Sequence, residues 1–357
     1  MASRTTDRLP ALANPHMASL HEAHEAAARV CAPLRFDFEV AGHPMRCTFA
    51  GDDLAQAITL GFQHLRQDAG GPAGLAVELW DIGASGVQRP LPDMRRLIDW
   101  HRTYADGLVA KGEGLLGYQS PRLYVMIDLA EGRMIGCVTD AADLSAYEIG
   151  KPLQPLLFAW LQSRTVQPIH AALIAQEGKG LLLGGKGGSG KSTTALACAR
   201  AGMQFLGDDY VGIERLHGGF VGHSLYASAW LEKGHSRRFS AMGKHRMPGK
   251  DSGERKQSFA IATAAPGATR AKCTISAVAI PRIVDSENSS FAPIERHETA
   301  LRLAPSAVLQ MAHLDRAEIF GIAQDLVATL PCFELRIGSR LDLIPDAVSK
   351  LLAELRK

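Results

Sequence analysis

The sequence lacks the features of a membrane-spanning, metal-ribbon or nucleic-acid-binding protein. Its 357 residues contain no run of about 18 apolar residues, which excludes an apolar membrane-spanning helix. The six cysteines form no C-x-x-C pair, which excludes a zinc ribbon and a thioredoxin-like motif. The formal net charge is only +2, so no global positive field favours nucleic acid. We therefore expect neither a membrane nor a nucleic acid as a partner.

Signs of secretion are also missing. The N-terminus has no apolar segment of the kind that forms a secretory signal. Cys137 and Cys198 stand inside apolar runs, where cysteine behaves as a small buried hydrophobe. We expect reduced thiols and a cytoplasmic protein. With 46% apolar and 21% charged residues, the composition is that of a globular chain of about two domains.

Three segments are predicted along the chain. Residues 1–16 are polar and proline-punctuated, and we expect a loose tail there. Residues 17–150 mix strand and helix periodicities, which predicts an α/β domain that binds a substrate or partner. Within it, Leu97, His101, Tyr104 and Leu108 recur every three or four residues and predict a helix. Residues 151–357 form the second predicted domain.

A strand–loop–helix pattern in the second domain carries the strongest functional signal. Strands are predicted at Ile169–Ala175 and Gly180–Leu183, and a helix at Ala195–Ala201. Between strand and helix, Gly185–Ser192 matches G-x-x-x-x-G-K-[ST]. Glycines permit positive φ, so that successive N–H groups and the helix start face phosphate oxygens. The pattern predicts a nucleotide-phosphate site formed by Gly185, Lys186, Gly187, Gly188, Ser189, Gly190, Lys191, Ser192 and Thr193.

The predicted cofactors are ATP and Mg²⁺. Lys191 would contact the β- and γ-phosphates, and the Ser192 hydroxyl suits Mg²⁺, a hard cation that prefers oxygen. GTP fits the same loop, because the loop contacts phosphates and not the base. A dinucleotide fold stays open, since Gly185, Gly187 and Gly190 also satisfy G-x-G-x-x-G and an acidic residue follows 18 positions later. That alternative, an oxidoreductase, leaves the lysine and serine of the loop without a role.

Two further chemical groups flank the loop. Asp208-Asp209 follows the short strand predicted at Gln204–Leu206, where a carboxylate can reach a loop-bound metal. Adjacent carboxylates can divide the work, one on the metal and one on the nucleophile's proton; a polar turn is the alternative. His170, at the start of its predicted strand, would ordinarily be structural. The other histidines, with no partner spacing, are expected at the surface: His217, His223, His235 and His245.

These motifs together resemble the HPr kinase/phosphorylase family and the related phosphoenolpyruvate carboxykinase fold. The resemblance rests on Ile169-His170-Ala171, the loop 185–192 and the run Phe205–Val211. In that family a histidine precedes the loop, and an acidic pair follows the loop lysine, at similar spacings. The match covers about 165–215 and continues weakly toward the C-terminus. It implies an α/β fold in which a mixed α/β N-terminal domain is followed along the chain by a carboxykinase-like P-loop kinase core.

The resemblance also implies residue roles. Lys191 would act on the phosphates, Ser192 and Asp209 would hold Mg²⁺, Asp208 would be the general base, and His170 would orient the phosphates or the metal. The implied reaction is transfer of the ATP γ-phosphoryl group to a Ser or Thr hydroxyl of a peptide or protein. The family's downstream Arg-Gly-x-Gly signature is absent, and Ser228–Gly234 stands in its place. We therefore do not expect HPr itself as the substrate.

Other functions remain open at this point. A small-molecule hydroxyl is the nearest alternative acceptor. A nucleotide-dependent regulatory switch, whose first domain binds a partner, would use the same loop with little or no transfer. A homo-oligomer is compatible with each of these functions.

A basic segment over 233–256 is the last predicted feature. It holds eight basic residues against two acidic ones and is rich in Gly and Ser, which indicates a mobile loop. It is either a solvated insertion or a lid that brings charge to the transferred phosphoryl group. Arg255 and Lys256 are the predicted phosphoryl or substrate clamp. Aromatic residues are not interleaved, which speaks against single-stranded nucleic acid.

Overall fold

The computed structural model describes residues 14–68, 71–90, 98–102, 107–112, 114–234, 239, 243–251, 253, 255–308 and 313–355. These residues form a mixed α/β structure. The helices α1–α10 are Pro15–Val30, Asp52–Phe62, Ile82–Ser85, Ala146–Gly150, Gln154–Gln162, Lys191–Arg200, Ile261–Ala264, Arg296–Val308, Arg316–Thr329 and Ile344–Glu354. The strands β1–β10 are Leu34–Val40, His43–Ala50, Arg66–Gln67, Leu75–Asp81, Ile98–Arg102, Leu108–Gly112, Leu115–Gln119, Leu123–Asp128, Arg133–Val138 and Val166–Ile169. The strands β11–β20 are Ala172–Gln176, Lys179–Leu183, Gln204–Gly207, Val211–Leu216, Gly219–Ser224, Ser228–Glu232, Lys256–Ala260, Lys272–Ile283, Ser290–Pro293 and Cys332–Ile337.

The first part of the chain builds one sheet in the order β3-β1-β2-β4-β9-β8-β7-β6-β5. Strands β2, β4 and β9 run parallel, and the other described pairs are antiparallel. Helix α1 covers one face, and Met17 and Leu20 are fully buried there beside Trp80. The structure places α1 over residues that include the end of the predicted tail. Its start is explained by Asn14, whose side chain caps the helix ahead of Pro15.

The helix predicted around His101 and Leu108 is wrong. The structure has β5 and β6 there, and His101 pairs with Val109 in an antiparallel register; Leu97 and Tyr104 lie outside the described residues. The three-to-four spacing covers only four apolar or aromatic positions, which is too few to distinguish a helix from two short strands. Pairing of β6 with β7 at the edge of the sheet favours the extended form.

The second sheet brings the predicted motifs to one edge. Its order is β10-β14-β15-β18-β12-β11-β13, and β20 joins it beside β18. Strand β11 pairs antiparallel with both β12 and β13, opposing Ala172 to Leu183 and Leu173 to Gly207. The carboxyl ends of β12 and β13 therefore lie at the same edge, on either side of the start of β11. The glycine loop leaves from one end and the aspartate pair from the other.

The strand predicted at Ile169–Ala175 is broken in the structure. Strand β10 ends at Ile169, and β11 begins at Ala172. The Ala171 N–H donates to the Ile169 carbonyl at 2.9 Å, which closes a tight turn around His170. The break has a topological cause, because β10 pairs with β14 whereas β11 pairs with β12 and β13. It places His170 at the edge where the other motifs meet.

Buried side chains of both sheets pack in one continuous cluster. Ring contacts run from Phe62 through Tyr226 and Phe158 to Tyr210, with centroids 5.0–6.2 Å apart. Tyr210 in turn lies 5.3 Å from the ring of His170. The first part of the chain is therefore packed directly behind the motif-bearing edge, and the domain boundary at residue 150 stays a prediction.

Several simpler expectations can be checked against the fold. All six cysteines are free thiols, and Cys137 and Cys198 are buried as expected. The expected surface position of His223 is wrong, because it is buried and its Nε2 lies 3.0 Å from Glu214. None of the helices in the described ranges is both long and apolar enough to cross a bilayer.

A histidine that couples the two sheets gives a pH-dependent stability. The Nε2 of His64 lies 2.6 Å from the Ser224 hydroxyl. Burial lowers the pKa of His64 to about 4. The unfolded chain therefore takes up this proton near its ordinary pKa while the folded chain does not, and stability is lost as the pH falls below about 6.5. From this group we expect a loss on the order of 2 kcal/mol between about pH 7 and pH 5.

Urea denaturation of wild type and His64→Gln at these two pH values tests the prediction. Glutamine keeps hydrogen-bonding capacity but does not titrate, so the variant should lose less stability on acidification. Equal losses in the two proteins would show that His64 does not control the acid response.

Candidate active site

The glycine loop joins β12 to α6, and several of its residues have positive φ. Gly185, Gly188 and Gly190 have φ of 118°, 77° and 107°, values that residues with a side chain rarely adopt. Gly190 caps α6 without any side-chain hydrogen bond, which leaves the first N–H groups of the helix to another acceptor. A Cβ built on Gly187 or Gly188 meets no atom within 4 Å. The loop thus offers unobstructed N–H groups beside open space, as a phosphate chain requires.

Lys191 is folded back into this loop. Its Nζ donates to the carbonyl oxygens of Gly185 at 2.5 Å and Lys186 at 3.1 Å. Burial lowers the pKa of Lys191 to about 8, although Asp209 and Asp208 act to raise it. The ammonium is therefore held charged in a desolvated position, where a phosphate would be a stronger partner than two neutral carbonyls.

Asp209 is surrounded by two lysine ammonium groups and the imidazole of His170. One carboxylate oxygen accepts from Lys151, and the other lies 3.1 Å from His170 Nε2 and 3.2 Å from Lys256 Nζ. Burial alone would raise the pKa of Asp209, but Lys151, His170 and Lys256 hold it well below its usual range. Asp209 is therefore ionised at every physiological pH.

Lys151 is a site residue that the sequence analysis missed. Its side chain is only 4% exposed, and its Nζ lies 4.7, 5.1 and 4.2 Å from the ring centres of Tyr147, Tyr210 and Trp230. Aromatic faces attract a cation and keep water from it. No motif in the sequence marks this lysine, because its carboxylate partner is 58 positions away.

Asp208 has the opposite electrostatic character. It is 1% exposed, and one carboxylate oxygen accepts from the backbone N–H of Trp230. Burial raises the pKa of Asp208 to about 6, while Lys256 and a hydrogen bond with the Ser192 side chain act to lower it. Its Oδ1 is buried without a hydrogen-bond partner among the described residues. Because Ser192 affects the pKa of Asp208, the aspartate pair lies beside the glycine loop.

The predicted clamp residues separate. Lys256 contacts Asp209, and it stands on β17 rather than in a loop before a strand. The side chain of Arg255 is 87% exposed and pairs with Glu232 at 3.3 Å rather than with either aspartate. Much of the predicted mobile loop, including Arg237, Arg238 and Glu254, lies outside the described residues.

A cleft between the glycine loop and the β16–β17 ribbon collects the remaining groups. The lining includes His170, Lys191, Ser192, Lys256 and the Gly187–Gly188 backbone. The donor set fits Mg-ATP: open N–H groups and lysines suit phosphate, while the Ser192 hydroxyl and the ionised Asp209 carboxylate suit Mg²⁺. The structure therefore brings every predicted site residue except Arg255 to one edge of the second sheet.

Comparisons with known proteins give a short sequence match and a structural neighbour. No protein-family model matches the chain. The HPr kinase/phosphorylase of Clostridium tetani (strain Massachusetts / E88) is 36% identical over 63 residues, which are 18% of this chain. The chain spans about a fifth of that relative's length, 21%. The structure of the Hpr(Ser) kinase/phosphatase from Coxiella burnetii shows a TM-score of 0.31 and 13% identity over 54% of this chain and 99% of that chain.

Proposed function

We propose that this chain is a phosphotransferase with a carboxykinase-like P-loop core, which transfers the γ-phosphoryl group of ATP to a hydroxyl. The observation that carries the proposal is that Lys191 and Ser192 line one cleft with His170 and Lys256, and that both of the latter contact Asp209. Phosphoryl transfer depends on positioning and on neutralising charge, and this cluster supplies both. The dinucleotide alternative gives no role to the lysine, the serine or the second aspartate.

The loop and its lysines act on the nucleotide. The N–H groups of 185–190 and the start of α6 bind the phosphate oxygens, and Lys191 moves from the loop carbonyls onto the β- and γ-phosphates. Lys256, next to Asp209, faces the transferred group from the opposite wall of the cleft. When bound, Mg²⁺ supplies Lewis-acid neutralisation of the phosphates. Ser192 and Asp209 would hold it, with His170 orienting Asp209.

Asp208 acts on the acceptor. As the hydroxyl oxygen forms its bond to the γ-phosphorus, the bond from that phosphorus to the β–γ bridging oxygen breaks and ADP leaves. The hydroxyl proton passes to the carboxylate of Asp208. A pKa near 6 suits this role, because the group is ionised at neutral pH and is still basic enough to accept a proton.

For the acceptor we propose a Ser or Thr hydroxyl of a peptide or protein, with residues 17–150 helping to bind it. A small-molecule hydroxyl remains the competing acceptor, since Ser228–Gly234 replaces the family signature. Strand β16 occupies this stretch and pairs with β17, which carries Lys256.

Intact-mass analysis tests the function. The purified full chain is incubated with Mg-ATP and with fractionated peptides or metabolites. We expect a gain of about 80 Da on an acceptor together with release of ADP. Release of no ADP in any fraction, despite tight Mg-ATP binding, would instead favour a nucleotide-dependent switch.

A further inference from the structure

A second pocket adjoins the phosphate cleft. It lies between α4, the β16–β17 ribbon and the segment 243–251, and it shares Trp230 and Lys256 with the cleft. A group bound in this pocket would therefore stand next to the phosphoryl group that the cleft would hold.

The lining of the pocket is strongly basic. Lys233, Arg246, Lys250 and Lys256 all line it, against the single acidic residue Asp251. The lysines have carboxylate partners: Lys233 with Asp251 at 2.7 Å, Lys250 with Asp143, and Lys256 with Asp209.

Arg246 differs from these lysines. Its Nη2 donates to the neutral amide oxygen of Gln257 at 3.1 Å, and no carboxylate of the described residues lies within ion-pair distance. A guanidinium in this state has donors left for a carboxylate or phosphate, which it can bind in a bidentate manner.

The wall of the pocket holds an unpaired polar group. Ser258 is 4% exposed, and its hydroxyl has no hydrogen-bond partner among the described residues. A buried hydroxyl without a partner is unfavourable, and an oxygen-rich ligand in the pocket would remove the deficit. Tyr147 and Trp230 form the aromatic side of the same pocket. The pocket therefore has a basic side, a polar wall at Ser258 and an aromatic side.

We propose that this pocket binds an anionic group of the acceptor, a carboxylate or a phosphate, with Arg246 as its main ligand. The inference rests on the proposed function, and it defines the substrate class as a hydroxyl compound that carries a second, negatively charged group. The charge could belong to a small hydroxy acid or phosphate ester, or to an acidic residue flanking a Ser or Thr. Lys256, which lines both pockets, would face the anion and the transferred phosphoryl group together.

Calorimetric titration with inorganic phosphate separates the two sites. We expect two binding events on the ligand-free wild-type chain. Lys191→Met should lose the loop event and keep the pocket event, whereas Arg246→Met should do the reverse, with each affinity falling at least about tenfold. Arg29→Met, which removes an exposed arginine on α1, is the matched control and should keep both. Thermal melts of all four proteins establish that they are folded.

The outcomes distinguish the two proposals. Phosphate binding that Arg246→Met leaves intact overturns the anionic pocket, whatever the loop does. If Arg246→Met loses the pocket event while Lys191→Met binds phosphate like wild type, the result supports the pocket and argues against the phosphate loop.

Matched acceptors then identify the source of the charge. Glycerol is compared with glycerol 3-phosphate, and a serine peptide flanked by Asp with the same peptide flanked by Asn. We expect the charged member of one pair to have a kcat/KM at least about tenfold higher, and Arg246→Met to remove that preference without changing the affinity for Mg-ATP. Equal use of the charged and neutral members of both pairs would overturn the proposal.

Discussion

Replacing Lys191 by methionine is expected to weaken ATP binding at least about tenfold and to reduce phosphoryl transfer by about 10²–10³-fold or more. The ammonium is already desolvated and bonded to the carbonyls of Gly185 and Lys186, so in the variant ATP loses a charged partner that is positioned in advance. Methionine has a similar length and flexibility and keeps the packing. Calorimetry with Mg-ATP and a coupled ADP assay measure the two effects.

The same substitution should not destabilise the fold. Burial lowers the pKa of Lys191, which means that its charged form is disfavoured in the folded chain. Removing the charge should leave the free energy of unfolding unchanged or raise it. An unfolded variant would make the lost activity uninformative, and a folded variant with wild-type ATP affinity would contradict the phosphate-loop assignment.

Replacing Asp208 by asparagine is expected to stop transfer while ATP still binds. Asparagine keeps an oxygen that can accept from the Trp230 N–H, but it cannot take the acceptor's proton. The loop and Lys191 are unchanged, so the dissociation constant for Mg-ATP should stay within about threefold of wild type. Turnover at the wild-type rate would show that another group is the base.

This variant should also be more stable at neutral pH. The folded-state pKa of Asp208 is raised to about 6, so the unfolded chain loses this proton first as the pH rises. Stability from this group is present at low pH and declines as the pH rises between about 4 and 6. Asparagine removes the penalty, and we expect a gain on the order of 3 kcal/mol at pH 7, measured by urea denaturation.

The same pKa sets the acid limb of the reaction. Below about pH 6 the kcat/KM of the wild-type chain should fall about tenfold per pH unit, because the base is protonated. Lys191 and Asp208 are both desolvated, and burial disfavours the charged form of each. The proposed function requires those charged forms, so the site lowers the stability of the fold.

The glycine loop and the aspartate pair could be located from the sequence because each is a local pattern of adjacent residues. Their convergence could only be expected. It follows from the pairing of β11 with both β12 and β13, which is a long-range property. The turn at His170 arises because β10 pairs with β14 whereas β11 pairs with β12 and β13. The sequence around it is a continuous apolar run, which predicts an unbroken strand.

Other features had no local signal. Lys151 looks like any lysine until Tyr147, Tyr210 and Trp230 are folded around it, and its bond to Asp209 joins two distant segments. The residues of β5 and β6 showed helical spacing in the sequence. They form strands because β5 pairs with β6, and β6 with β7, at this end of the sheet. Arg255 and Lys256 are adjacent, but strand β17 directs only the second toward the aspartates.

Calorimetric titration of the wild-type chain with ATP and with NAD⁺, each in Mg²⁺ and in EDTA, tests the central claim most directly. If the amides of 185–190 bind a triphosphate beside Ser192, Asp208 and Asp209, ATP will bind at one site per chain, more tightly with Mg²⁺ than without it, and NAD⁺ will not bind. A chain that binds NAD⁺ and gives no heat with Mg-ATP would contradict the account.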